Sequence, residues 1–154
     1  EEREFHGILA EARWLGLKDH YFSYAIVLRP WLWLLSHTTD YRIFENKKAP
    51  DIIEEVFRDR GFTDFKSEIR DRGSFPTLEY CVQYRETDFD FVSRLMEKEG
   101  IYYFFKHEGG SHTMVLANMK SSHQLVPTSF MVASRIMGRR DFDRPAMVGH
   151  PAVA

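Results

Sequence analysis

The sequence predicts an α+β protein, mainly antiparallel β with two to three helices. Three observations support this class. Aromatic residues make up 15% of the 154 residues, which is typical of pleated, half-buried strands. Two segments instead repeat apolar residues at helical spacing, and each ends at a glycine. The second of these segments lies between two strand-like segments, an order that favours an α+β unit.

The N-terminal part of the chain is predicted to contain two strands and an apolar cluster. Residues 5–13 indicate one short strand, and residues 21–29 are rich in aromatic and β-branched residues until Pro30 stops them. The next five residues, WLWLL at 31–35, are too apolar for an open loop. We expect this cluster in the core or near a subunit contact, through Trp31, Trp33 and Leu34.

Two helices are predicted from apolar stripes and end signals. The first begins at Ala49, with Pro50 in its first turn, and stops at Gly61. Its stripe consists of Ile52, Ile53, Val56 and Phe57. The second is capped by Thr87 and stops at Gly100. Its stripe is Phe89, Val92 and Met96, flanked by Phe91 and Leu95.

The strands around the second helix are predicted from alternation. In residues 78–86, Leu78, Tyr80, Val82 and Tyr84 share one face, and Glu79, Cys81, Gln83 and Arg85 share the other. Residues 101–106 and 112–117 are predicted to form a hairpin around the glycine pair at 109–110. After Ser121 the pattern weakens, and one further strand is expected at about 130–134.

Composition excludes several classes of protein. A formal net charge of -2 argues against nucleic-acid binding, and one cysteine, Cys81, excludes an intramolecular disulfide framework. No apolar run approaches the roughly 18 residues of a membrane helix. The chain begins with Glu1 and shows no signal peptide, so we expect a piece of a longer protein assembled in a reducing compartment.

The candidate catalytic groups have simpler interpretations. His107 and His112 lie five residues apart with two glycines between them, whereas an HExxH zinc motif needs histidines four apart on a helix. Glu86, Asp88 and Asp90 could be paired catalytic carboxylates, but acidic residues at a helix start are more simply explained by capping. The residues therefore predict no catalytic site, no metal and no cofactor.

Two blocks of sequence carry a resemblance to a known family. One is YCVQYRETDFDFVSRLMEKEGIYYFF at residues 80–105; the other is PWLWLL at 30–35, followed by YRIF at 41–44 and PDIIEEV at 50–56. Together they resemble the VgrG family, spike proteins of the bacterial type VI secretion system that are similar to the baseplate hub of contractile-tailed phages. DFDRP at 141–145 resembles a later, weaker element, and residues 146–154 resemble nothing assigned.

The resemblance implies phage baseplate-hub-like β-barrel tube subdomains. Residues 1–45 would be the end of the first hub barrel, 46–125 the α+β part of the second hub subdomain, and 126–154 a return segment toward the barrels. The family signature would be structural and would consist of Tyr84, Arg85, Glu86, Thr87, Asp88, Phe89, Asp90, Phe91, Leu95, Glu99, Gly100, Tyr102 and Phe104.

The resemblance also implies a role. Family members are homotrimeric hubs that cap the Hcp tube and deliver effectors through the contractile machine, and they are assembled in the cytoplasm and secreted by it. Effector or spike-tip proteins would bind through regions beyond this segment. No nucleic-acid partner and no membrane insertion are expected, and the segment is not expected to be an enzyme.

Three alternatives stay open on the sequence. The same fold could serve as the tail baseplate hub of a contractile phage or prophage. A metal-dependent hydrolase would use His107 and His112. A carbohydrate-binding module would use the aromatic tract at 102–105, although consecutive strand residues point to opposite faces.

Overall fold

The computed structural model of the chain describes residues 4–18 and 21–122. The chain divides into two compact units, one of which contains residues 4–8 and 29–122, and the other residues 9–18 and 21–28. Its strands pair mainly antiparallel and two α-helices accompany them, which confirms the α+β class. The predicted boundary at residue 45 lies within a strand, and the expectations for 126–154 lie outside the described residues.

The smaller unit consists of two paired strands. They are β1 (Ile8–Lys18) and β2 (Tyr21–Arg29), which form a two-stranded sheet. The bounds of β2 agree with the prediction, whereas β1 begins and ends later than the predicted 5–13. Ala10, Glu11 and Ala12 are weak strand formers, so pairing with β2 rather than local propensity sets the extent of β1.

In the larger unit, the first element after β2 is a 3-10 helix, Trp31–His37, which buries Trp31, Leu32 and Leu35. It continues with β3 (Thr39–Lys48), α1 (Ala49–Asp59) and β4 (Phe65–Glu68). The prediction of α1 is confirmed, including the proline in its first turn. Strands β3 and β4 were not predicted because they are short or rich in Asp, Glu, Asn and Lys, which strands disfavour.

The second half of this unit consists of β5 (Thr77–Thr87), α2 (Asp88–Glu99), β6 (Tyr102–Glu108) and β7 (Ser111–Ala117). Short 3-10 turns lie at Arg72–Ser74 and Lys120–Ser122. The predicted order of strand, helix and hairpin is confirmed. Strands β3 and β5 pair antiparallel, as do β6 and β7, so the predicted mainly antiparallel pairing is confirmed; the unpredicted β4 adds to β7 in parallel.

Both helices pack into one apolar core. Helix α1 contacts α2 and β3, and α2 also contacts β5 and the first 3-10 helix. Stacked rings of Phe44 and Phe91 join β3 to α2 at a centroid distance of 5.6 Å. Trp31 stacks on Phe62 at 4.7 Å and meets the edge of Phe57 at 5.1 Å. The 3-10 helix is therefore fixed to α1 through aromatic contacts.

The predicted alternation of β5 is confirmed over residues 80–84, but the more apolar face is not the one that packs on the helix. Cys81 and Gln83 are buried, whereas Tyr80, Val82 and Tyr84 are exposed. The cross-strand neighbours of the exposed residues include Tyr41 and Ile43 of β3, which are also exposed. One side of the β3–β5 pair thus presents a row of large apolar side chains to the surroundings.

Candidate functional site: the signature segment

The signature residues span the end of β5, the whole of α2 and the start of β6. Three are buried, namely Asp88, Phe91 and Leu95. Those that are half-buried are Glu86, Thr87, Phe89, Asp90, Glu99, Tyr102 and Phe104, and those that are exposed are Tyr84, Arg85 and Gly100. The segment is therefore partly core and partly surface, and its polar centre is Asp88.

Asp88 is the first residue of α2 and its side chain is 0% exposed. Its Oδ1 accepts hydrogen bonds from Gln83 Nε2 at 2.7 Å and Arg42 Nη2 at 3.4 Å. Its Oδ2 accepts from Thr38 Oγ1 and Arg60 Nε, both at 2.6 Å. The carboxylate therefore joins four parts of the larger unit: the turn before β3, β3 itself, the residue after α1, and β5.

The charges of this network compensate one another. Burial raises the pKa of Asp88, but the hydrogen bonds from Thr38, Gln83 and Arg60 outweigh it, and the pKa lies below its ordinary value. The bond to Asp88 raises the pKa of Arg60 in turn. Asp40 accepts from both Arg42 and Arg60 at 3.0 Å, and Arg42 also contacts Asp59 at 3.5 Å, so Arg60 contacts two carboxylates and Arg42 three. A carboxylate with both oxygens occupied by protein donors is suited to holding the fold rather than to catalysis.

The helix that follows Asp88 begins and ends as the sequence predicted. Thr87 Oγ1 accepts from the backbone N–H of Asp90 at 3.0 Å, and Gly100 closes the helix with φ 68°. The interpretation of the three acidic residues as caps is too simple, however. Asp88 holds the buried network, and Glu86 pairs with Arg94 through both carboxylate oxygens at 2.8–3.1 Å.

A β-bulge positions this network. Asp40 pairs with Glu86 and Arg42 with Gln83, so Tyr84 and Arg85 together lie opposite one residue of β3. Arg85 adopts φ 51°, in the left-handed region, and its guanidinium lies 5.1 Å from the Tyr84 ring centroid. Simple alternation predicts Arg85 on the same face as Gln83, but the extra residue turns it outward. The bulge also lets Glu86 reach Arg94 of α2.

The apolar cluster at residues 31–35 lies in and beside the core. Trp31 is buried, and Trp33 and Leu34 are half-buried. Leu32 and Leu35, which the prediction did not single out, are each only 1% exposed. The 3-10 spacing explains this choice of residues, because positions three apart lie on one face of such a helix.

The two candidate metal-ligating histidines do meet, as cross-strand partners in the β6–β7 hairpin with ring centroids 6.3 Å apart. In each ring, however, one nitrogen already accepts a hydrogen bond from the backbone. His107 Nδ1 accepts from the backbone N–H of His6 at 3.1 Å, and His112 Nε2 accepts from that of Trp31 at 2.9 Å. A neutral imidazole has one acceptor nitrogen, so this arrangement does not favour a shared metal ion.

Within residues 4–18 and 21–122 no cluster of three or more His, Cys, Asp or Glu side chains is placed to hold a metal ion. The thiol of Cys81 is buried, and that burial raises its pKa, which disfavours the reactive thiolate. In the aromatic tract, Tyr103 and Phe105 pack on the core while Tyr102 donates to the Met119 carbonyl at 2.6 Å. Those rings do not share one binding platform.

Sequence reasoning found the signature segment but missed its partners. Thr38, Arg42, Arg60 and Gln83 complete the site, and three of them lie far from Asp88 along the chain. No local pattern marks them, since an arginine before a glycine or within a polar strand is an ordinary surface residue. Only Gln83 is marked in the sequence, because a polar residue on the buried face of an alternating strand indicates a buried hydrogen-bond partner.

A fold held by a buried polar network, with large apolar side chains exposed on several strands, is typical of a structural assembly protein. Comparison with known families agrees: residues 1–141 match the family described as phage tail baseplate hub (GPD), and the chain belongs to that family. The resemblance to VgrG proteins is confirmed by its relatives. The chain is 54% identical over 125 residues to the type VI secretion system spike protein VgrG1b of Pseudomonas aeruginosa, covering 81% of this chain and 17% of that protein.

More distant relatives extend the comparison. The actin cross-linking toxin VgrG1 of Vibrio cholerae is 34% identical over 122 residues, covering 79% of this chain and 11% of that protein. A solved structure of the E. coli c3393 protein, a type VI secretion component with similarity to the T4 phage tail proteins gp27 and gp5, superposes with a TM-score of 0.73. It shares 25% identity and covers 82% of this chain and 37% of its own. The hub-like fold is thereby confirmed, and the chain spans less than a fifth of the curated relatives' length.

Proposed function

We propose that this chain is part of the hub of a type VI secretion spike and acts as a structural element. The observation that carries the proposal is the 54% identity to a spike protein of that system across four fifths of the chain. The Asp88 network supports a structural role, because protein donors occupy both carboxylate oxygens and leave neither for a substrate.

Exposed apolar faces support assembly into a larger body. On the β3–β5 pair, five large side chains are at least 46% exposed on one face: Tyr41, Ile43, Tyr80, Val82 and Tyr84. On β1 and β2, nine more are at least 45% exposed: Leu9, Trp14, Leu15, Leu17, Tyr21, Phe22, Tyr24, Ile26 and Leu28. Contiguous apolar and aromatic surfaces of this kind are typical of protein interfaces.

In the parent protein, these surfaces would be covered by neighbouring barrels and by two further copies of the chain. The parent is a homotrimer that caps the Hcp tube, and effector or spike-tip proteins attach through regions outside this segment. Assembly takes place in the bacterial cytoplasm and export through the type VI machine. The segment itself carries no catalytic activity and binds neither nucleic acid nor cofactor.

Among the described residues, none of the helices has the length and apolar character needed to cross a membrane.

The mass of the parent protein tests this proposal. We expect light scattering to give a trimer at micromolar concentration, and the trimer to retain Hcp hexamers in co-sedimentation. Ile43→Asp places a charge on the exposed β3–β5 face and should weaken assembly, with the circular dichroism spectrum unchanged. Lys66→Ser, at an exposed position of β4, is the matched control. A parent protein that stays monomeric would refute the spike proposal.

A second function is favoured by the family itself. The matching family is described as a phage tail hub, so the same segment could serve in the tail of a contractile phage or prophage. The genes beside the coding sequence distinguish the two. Genes for a contractile secretion sheath and Hcp support the spike, whereas genes for capsid and tail fibres support the phage.

A further inference from the structure

Three histidines form a row on one side of the larger unit. His6, His107 and His112 lie with successive ring centroids 6.3 Å apart and interplanar angles of 25° and 26°. His107 and His112 are opposite residues of the β6–β7 hairpin, and His6 lies in the segment that leads into β1. Phe5 and Phe105 flank the row, with ring centroids 5.7 Å from His107 and 5.6 Å from His112.

Two of these rings act as hydrogen-bond acceptors for distant parts of the backbone. His107 Nδ1 accepts the N–H of His6 at 3.1 Å. His112 Nε2 accepts the N–H of Trp31 at 2.9 Å, and this N–H stands at the open start of the 3-10 helix. Only a neutral imidazole can accept, because both nitrogens of an imidazolium carry protons.

The two bonded backbone positions bracket the β1–β2 pair along the chain. His6 lies two residues before β1 begins, and Trp31 lies two residues after β2 ends. One hairpin therefore holds the segment that enters this pair of strands and the segment that leaves it. Both attachments depend on the protonation state of histidine.

We propose that His107 and His112 form a pH-sensitive latch within the larger unit. When neutral, they hold the backbone at His6 and at Trp31 to the β6–β7 hairpin, and when protonated they release both positions. Release has two causes. Each imidazolium loses its acceptor nitrogen and turns an N–H toward the backbone N–H it held. Charged rings at the spacing of this row also repel one another.

The surrounding charges act on the latch in opposite directions. Glu4 Oε2 lies 3.2 Å from His6 Nε2 and faces the first ring of the row. Asp64 favours the charged form of His112. Lys106 and Glu108 are the neighbours of His107 along β6, and Lys106 pairs with Glu68 at 3.6 Å. Burial lowers the pKa of His112, His6 acts in the same direction, and Asp64 opposes them.

The sign of the pH dependence follows from that lowered pKa. His112 binds a proton more weakly in the folded chain than in the unfolded chain. The stability that its bond contributes is therefore present above the unfolded pKa of about 6.5 and is lost as pH falls through the lower folded pKa. The latch should be closed at neutral pH and open in mildly acidic solution.

Nuclear magnetic resonance of the 154-residue chain from about pH 7.5 to about pH 5 tests the latch. We expect the amide resonances of His6 and Trp31 to shift as His107 and His112, respectively, become protonated. Their protection against hydrogen exchange, corrected for intrinsic pH dependence, should fall by roughly tenfold or more. Amides in the middle of α2 should keep their protection and so report that the core stays folded.

Two variants isolate the histidine charge. In His112→Gln, the side-chain oxygen can still accept from Trp31 but cannot titrate, so the Trp31 amide should become independent of pH. His107→Asn should do the same for the His6 amide. His37→Gln is the control, since His37 is exposed at the end of the 3-10 helix and lies outside the row.

Either of two results would overturn the proposal. One is that the His6 and Trp31 amides of the unaltered chain keep their shifts and protection down to about pH 5. The other is that folded His112→Gln shows the same response at Trp31 as the unaltered chain. If the variant does not fold, the titration of the unaltered chain decides alone, because it reports both backbone bonds directly.

Discussion

Replacing Asp88 by asparagine perturbs the network on which the larger unit depends. The carboxylate is 0% exposed and accepts four side-chain hydrogen bonds, two of them from arginines. Asparagine has nearly the same shape but keeps one oxygen and replaces the other with an N–H₂ group. Whichever way the amide is oriented, its N–H₂ faces one of the two arginines, Arg42 or Arg60.

The loss of stability depends on the arginine that no longer has its carboxylate oxygen. The side chain of Arg42 is 13% exposed and that of Arg60 is 28% exposed, so neither can recover full hydration. Asp40 still contacts both arginines at 3.0 Å and limits the loss. Removing one partner of a buried ion pair costs about 3–5 kcal/mol, and we expect Asp88→Asn to fall toward the lower end. This is a large share of the roughly 5–15 kcal/mol by which a domain is usually stable.

Urea denaturation followed by circular dichroism at neutral pH measures this loss. Asp90→Asn is the matched control, since Asp90 is a half-buried carboxylate in the same turn. Losing its favourable position at the helix start should cost at most about 1 kcal/mol. Because the folded pKa of Asp88 is lowered, its stabilisation is present above the unfolded pKa of about 3.9 and is lost as pH falls through the folded value. The difference between unaltered and Asp88→Asn chains should therefore shrink below about pH 4.

Equal midpoints for Asp88→Asn and Asp90→Asn would refute this reasoning. They would mean that the network contributes no more than an ordinary carboxylate at a helix start. A stability difference that persists unchanged into strong acid would contradict the assigned direction of the pKa.

Substitutions at Gly100, Thr87 and Arg85 test the two ends of α2 and the bulge by the same denaturation measurement. Gly100→Val puts a β-branched residue at φ 68° and should cost about 1–2 kcal/mol or more, so an unchanged midpoint would contradict the assigned end of α2. Thr87→Ala removes the cap on the Asp90 N–H and should cost about 0.5–2 kcal/mol, whereas Thr87→Ser should retain most of the stability. Arg85→Gly relieves the left-handed conformation of the bulge and should leave stability unchanged or raise it by up to about 1 kcal/mol. Tyr84→Gly, one position earlier, should instead lower it.

Local signals were enough to predict the helices and the hairpin. Pro50 and Gly61 delimit α1, and Thr87 and Gly100 delimit α2, because caps and glycine stops act within a few residues of where they are read. The hairpin followed from a glycine pair between two apolar runs. Strand β3 carries no such local signal. Its residues are mostly polar, and its strand conformation depends on pairing with β5, some forty residues away along the chain.

The sequence by itself determined the class of the fold, the family and the segment that carries the family signature. Tertiary structure alone decided what that segment does. Asp88 looks like one of three acidic residues at a helix start until Thr38 and Arg60 are brought to its two oxygens. The physical reason is that caps and stripes are satisfied within one helical turn, whereas a buried charge and an accepting imidazole are defined by partners that only the folded chain places within hydrogen-bond distance.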